Sequence, residues 1–88
     1  LEKWPELEQA ARSVLDTKPE HADAHARLGR ALQGQGLHDA AVTAWEAAVR
    51  LGPDMPRFRR GLSAARRART LSEKRRNAPG PGRRRRGG

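Results

Sequence analysis

The sequence predicts an all-α protein built around one antiparallel pair of helices. Apolar and small residues recur at three- and four-residue steps in two consecutive segments of residues 21–53, a spacing that places them on one face of a helix. The Gly34-Gln35-Gly36 break separates the two segments, and Gly52-Pro53 ends the second because proline cannot continue a helix. A break this short requires the two helices to lie antiparallel.

Each helix of the pair has an apolar stripe. The stripe of the first helix consists of Ala24, Leu28, Ala31 and Leu32. The stripe of the second consists of Ala41, Ala44, Trp45, Ala48 and Leu51, broadened by Val42 and Val49. Because its stripe is wider, we expect the second helix to be the more buried of the two. The small residues Gly29, Ala41 and Ala48 allow close approach, so a large side chain there should force the helices apart.

Helical periodicity also extends to both sides of this pair. Residues 1–18 predict a helix that begins near Pro5 and presents one apolar face, formed by Trp4, Leu7, Ala11, Val14 and Leu15. Residues 56–76 predict a last helix, whose apolar stripe is Phe58, Leu62 and Ala65. Arg69 returns to that same face, so we expect its packing to stop near Ala68.

These residues resemble the tetratricopeptide repeat, whose period is about 34 residues. The residues that fall at its signature positions are Leu28-Gly29, Leu32, Gly36, Ala41, Trp45, Ala48 and Pro53. The sequence departs from it at His25, where the family prefers tryptophan, and at Leu32 and His38, where it prefers tyrosine. The resemblance implies a fragment of a helical solenoid in which residues 22–55 form the central repeat. Residues 1–18 would be the second helix of a preceding repeat, and residues 56–76 a following or capping helix.

Positive charge is concentrated at the C-terminal end. The formal net charge is +9, yet residues 1–56 contain six Lys/Arg against nine Asp/Glu, whereas residues 57–88 contain thirteen against one. Residues 77–88 contain no apolar side chain larger than alanine or proline, so burial cannot offset the entropy of ordering them. We therefore expect a disordered basic tail rich in arginine, glycine and proline.

Composition also indicates the cellular compartment of the protein. The chain has no cysteine, which excludes disulfides and thiolate zinc sites and fits a reducing compartment. No apolar run approaches the length of a membrane span, and no signal peptide is visible. We expect a cytoplasmic or nuclear location. Since the chain starts at Leu1 within a repeat pattern, we also expect it to be part of a longer array.

The resemblance implies a groove that binds a peptide or a partner helix along the first helix of each repeat. The outward residues at the matching positions are Asp23, Arg27, Arg30 and Gln33, continued on the last helix by Arg57 and Arg60. Arginine suits carboxylates, so the expected ligand is an acidic peptide or a chain terminus. The alternative is an ordinary solvated helix face. A subclass of the family clamps chaperone C-termini with lysine, asparagine and arginine, but only Arg57 fits that pattern, so we do not predict the clamp.

The basic segment is a second candidate site. A heptad-spaced stripe of Arg59, Arg60, Arg66 and Arg67 precedes two clusters, Lys74-Arg75-Arg76 and Arg83-Arg84-Arg85-Arg86. These cations could bind RNA or DNA weakly and without sequence preference, with an affinity that falls with salt. The two clusters also resemble a bipartite nuclear localisation signal, and a solubilising tail without a specific role is a third interpretation. No aromatic residue follows Phe58, so a base-stacking platform is absent from this segment.

We predict no metal, no cofactor and no catalysis. His21 and His25 lie four residues apart, but a zinc site needs further ligands. Ser13, Ser63 and Ser72 each lack a base at a plausible spacing. The leading hypothesis is a non-catalytic scaffold for protein interactions. The alternatives are a nucleic-acid or chromatin-associated protein that binds polyanions through its basic segment, and a docking module of a larger enzyme.

Overall fold

The computed structural model describes residues 3–77, which form four helices in an all-α arrangement. The helices are α1 (Trp4–Thr17), α2 (Ala22–Gly34), α3 (His38–Leu51) and α4 (Pro56–Asn77). The predicted all-α fold with its antiparallel pair, α2 and α3, is confirmed. The tail that we expect to be disordered, with its Arg83–Arg86 cluster, lies outside the described residues. The division of the chain into repeats stays a prediction.

Local hydrogen bonds set where α2 begins, and a glycine marks where it ends. The Nδ1 atom of His21 accepts a hydrogen bond from the backbone N–H of Ala24 at 3.1 Å and so caps the helix. His25 donates through Nε2 to the carbonyl oxygen of Pro19 at 2.9 Å, which ties the helix back to the preceding turn. Gly36 follows the C-terminus with a φ of +79°, the left-handed conformation that glycine adopts without strain. Both histidines therefore hold the α1–α2 turn.

The expectation that α3 is the more buried helix is wrong. α2 packs against α1 on one side and α3 on the other, and it also contacts α4, whereas α3 contacts α2 and α4. Accordingly, α2 has more buried residues than α3. The buried residues of α2 are Ala24, Ala26, Leu28, Gly29, Ala31 and Leu32. The width of an apolar stripe is a property of one helix alone. The burial of that helix also depends on how many other helices pack against it.

Aromatic side chains join the helices by packing onto glycines. A Cβ atom placed on Gly29 would lie 2.8 Å from Cδ1 of Trp45, and one placed on Gly61 would overlap the six-membered ring of the same indole. The indole of Trp45, on α3, therefore lies between glycines of α2 and α4. Trp4 packs onto Gly34 and Phe58 onto Gly52 in the same manner. Each contact requires a residue without a side chain.

Apolar packing along α4 ends where the sequence predicts. Phe58 and Ala65 are buried, and Leu62 packs against the core. Ala68 and Arg69 are half-buried, and Leu71 is 52% exposed. Beyond Ala68 the helix continues to Asn77 largely in solvent. None of the helices in the described part of the chain is long and apolar enough to cross a membrane.

We expect Gly61→Ala to destabilise the protein by about 1–2 kcal/mol. Replacing glycine by alanine in a helix normally stabilises it by ~0.5–1 kcal/mol, but here the added methyl group would overlap Trp45, and overpacking costs ~1–3 kcal/mol. Urea unfolding followed by circular dichroism measures the change. Ser63→Ala, on the exposed side of α4, is the matched control and should shift stability by less than ~0.5 kcal/mol. A Gly61→Ala variant as stable as the parent chain would contradict this packing.

We also expect Glu8 to make stability sensitive to acid. Hydrogen bonds from Gln35 and from Arg12 lower the pKa of Glu8 below its ordinary value of 4.5. Because the folded state has the lower pKa, the contribution is present above about pH 4.5 and is lost as the pH falls through the folded pKa. Glu8→Gln should therefore lower Tm at about pH 7, and this effect should shrink progressively as the pH falls below about 4.5. Glu6→Gln, at an exposed position of the same helix, serves as the control. A Tm difference for Glu8→Gln that does not change with pH would contradict the assignment.

Candidate functional site

A concave surface lies between α2 and α4 and encloses a cavity of about 350 Å³. We call it the α2–α4 groove. Its floor is formed by the buried residues Ala26 and Phe58 together with the half-buried Trp45. Its rim is formed by charged side chains, Asp23, Arg27, Arg30 and Arg57. The groove therefore combines an apolar floor with a charged rim.

Helical spacing places the rim residues together. Positions 23, 27 and 30 lie on one face of α2 because they are separated by four and three residues. Arg57 lies in the first turn of α4 and follows Asp23 by 34 residues, which is one repeat length. Two residues one repeat length apart, on α2 and α4, thus supply both partners of a contact across the groove.

Asp23 is the electrostatic centre of the rim. Its Oδ2 atom lies 2.9 Å from Nε of Arg27, and its Oδ1 atom accepts a hydrogen bond from Nη2 of Arg57 at 3.0 Å. The guanidinium of Arg57 also lies 5.1 Å from the centroid of the Phe58 ring, within cation–π range. Arg30 makes no ion pair with any described residue. Three arginines and one aspartate leave the lining with a net charge of +2.

Two of the residues that the sequence assigns to the groove lie elsewhere. The side-chain oxygen Oε1 of Gln33 accepts a hydrogen bond from Nε1 of Trp45 at 3.2 Å, so Gln33 faces the helix interface. Arg60 lies on a different surface, the outer face of α4, beside Arg59 and Arg67. Gln33 points inward because the indole N–H needs an acceptor, which sequence spacing alone does not indicate.

Sequence reasoning missed the floor of the groove. It treated Trp45 as a structural residue and placed Phe58 in the core stripe, whereas both line the cavity. The one sequence signal nearby is the glycine at position 61, which leaves room for the indole against α4. That glycine predicts close packing and does not predict that the indole lines a groove.

The second candidate site is only partly described. Lys74, Arg75 and Arg76 are exposed in the last turn of α4, and Arg83–Arg86 lie outside the described residues. A further cavity of about 230 Å³ lies between α1 and α2 and is mainly apolar. Within residues 3–77, no group of three or more histidine, aspartate or glutamate side chains is placed to hold a metal ion.

Comparison with known proteins agrees with this architecture. The family model described as tetratricopeptide repeat matches residues 5–56, and matches residues 27–74 in a second, overlapping register. No curated protein and no solved structure matches the chain. Repeats of this family are typically non-catalytic modules that mediate protein–protein interactions. With two overlapping matches that together span α1 to most of α4, the chain belongs to the tetratricopeptide repeat family.

Proposed function

We propose that the protein binds an acidic peptide segment of a partner protein in the α2–α4 groove. The observation that carries the proposal is the rim of three arginines, Arg27, Arg30 and Arg57, around an apolar floor, with Asp23 as the single acidic residue of the lining. Repeats of this family mediate protein–protein interactions, and the positive charge of this groove supports an acidic ligand.

Asp23 holds two of the three rim arginines close together. It pairs with Arg27 and Arg57 through different oxygen atoms, which turns both guanidinium groups toward the same point. The two arginine side chains remain 65% and 61% exposed, so a second carboxylate can reach their free N–H groups with little desolvation. Arg30 adds a cation that no described acidic residue neutralises.

The floor supplies the second element of recognition. Ala26 and Phe58 are buried, and the half-buried indole of Trp45 lies beside them. An apolar side chain of the ligand placed there would leave water and contribute about 25 cal/mol for each Å² removed. The ligand that fits both elements is therefore a segment in which acidic and apolar residues alternate.

The test uses a fluorescein-labelled decapeptide of alternating glutamate and leucine, titrated with the full chain and followed by fluorescence anisotropy. The Arg27→Gln/Arg30→Gln variant should bind about tenfold or more weakly, since it loses two charge-assisted contacts. Helicity should not change, because both side chains are exposed. The matched control is Arg60→Gln/Arg67→Gln, which removes the same charge from the outer face of α4 and should bind like the parent chain.

A second peptide separates specific recognition from general attraction to a basic protein. In this peptide glutamine replaces each glutamate while leucine is kept. Equal binding of the two peptides would contradict the proposal, as would equal weakening by the groove variant and the control variant.

Asp23→Asn should strengthen binding of the glutamate peptide about two- to fivefold. The substitution removes the carboxylate that competes with the ligand for Arg27 and Arg57 and raises the charge of the lining. Stability should fall by less than ~1 kcal/mol, since exposed ion pairs contribute little. The same anisotropy titration measures the gain. Weaker binding with unchanged helicity would contradict this prediction.

A further inference from the structure

The outer face of α4 presents a straight row of cations. Arg60, Arg67 and Lys74 follow one another at seven-residue steps and are all exposed. Seven residues are close to two helical turns, so the three side chains lie on one line, about 10.5 Å apart and about 21 Å from first to last. Arg59 stands beside the start of the row. We call this surface the α4 outer face.

The described fold does not use these charges. Arg57 pairs with Asp23 and Arg66 with Glu46, whereas Arg60, Arg67 and Lys74 form no ion pair with any described residue. α4 contains one acidic residue, Glu73, which lies about 100° around the helix from Lys74. The row is thus uncompensated within its own helix.

The polar residues of the same face suit a phosphate ligand. Ser63 and Thr70 are exposed on the side of the row nearest Arg59 and are themselves seven residues apart. Phosphate oxygens in nucleic acids accept hydrogen bonds from arginine, lysine, serine and threonine side chains. The α4 outer face therefore combines the charge and the donors that phosphodiester backbones bind.

Protein and membrane partners fit this face poorly. Its apolar residues are Pro56, at its start, and Ala64 and Leu71, at its edge. Protein interfaces, by contrast, need a buried apolar or aromatic centre. A helix that lies on a membrane needs a wide apolar face opposite its cations, and on α4 that side packs against α3 and α2.

Single-stranded nucleic acid is also disfavoured. Trp4, Trp45 and Phe58 are the aromatic residues of the chain, and all three pack onto glycines of neighbouring elements. They cannot serve as stacking platforms for bases on the outer face of α4. The row of cations can instead contact the phosphates of a duplex, which carries about one negative charge per 1.7 Å of its axis.

We propose that the α4 outer face binds the phosphodiester backbone of duplex nucleic acid without reading its sequence. Affinity arises from release of the counterions that the phosphates hold, so it falls steeply with salt. This surface is separate from the α2–α4 groove, and the proposal does not depend on the peptide ligand. A chain with both sites would hold a protein partner beside a nucleic acid.

The experiment measures anisotropy of labelled 20-base-pair DNA and RNA duplexes with the full chain at several salt concentrations. Arg60→Gln/Arg67→Gln/Lys74→Gln should lower the slope of log Kd against log salt by about 2–3, because each lost phosphate contact lowers the slope by about 0.9. The matched control, Arg83→Gln/Arg84→Gln/Arg85→Gln, has the same net charge and should reduce the slope less. Binding of either duplex, with a slope that the outer-face variant lowers, supports the proposal. The duplex that binds more tightly shows whether the backbone is that of DNA or of RNA.

Circular dichroism confirms that the variants keep their helices, and Arg60→Lys/Arg67→Lys, which keeps the charge, should bind like the parent chain. An unchanged slope in the outer-face variant would overturn the proposal. Tighter binding of a single strand of the same length would also overturn it. So would displacement of the duplex by polyglutamate at equal charge concentration, since that result would indicate an acidic protein as the partner.

Discussion

The indole of Trp45 between Gly29 and Gly61 is the contact on which the rest of the structure depends. It is the point where α2, α3 and α4 meet, and each glycine is required because a side chain there would occupy the space of the ring. The hydrogen bond to Gln33 fixes the orientation of the indole. Since α4 reaches α2 through this contact, the width of the groove between them follows from it.

The core is held together by helices whose backbones approach closely, rather than by large side chains. Most of the buried hydrophobic residues are alanines, among them Ala31, Ala41, Ala48 and Ala65, which are fully buried. Such a core removes little apolar area per residue from water, so we expect stability near the low end for small domains. The few aromatic side chains matter more as a result, because each spans the gap between two backbones.

The faces of α4 divide its arginines among different surroundings. Arg57 turns toward Asp23 and the groove, Arg66 pairs with Glu46 of α3, and Arg60 and Arg67 face solvent. One helix rich in a single residue type therefore contributes to two surfaces of different chemistry. Charge composition alone shows an excess of arginine but not this division.

The sequence by itself determined the four helices, their breaks and the family, because glycine, proline and apolar periodicity act locally. It also identified Asp23, Arg27, Arg30 and Arg57, which one repeat period places around the groove. Only the tertiary structure decided that α2 is the most enclosed helix, that Gln33 turns inward and that Arg60 faces away from the groove. Those outcomes depend on which helices and side chains surround each face. Helical periodicity assigns a residue to a face of its own helix but does not indicate what packs against that face.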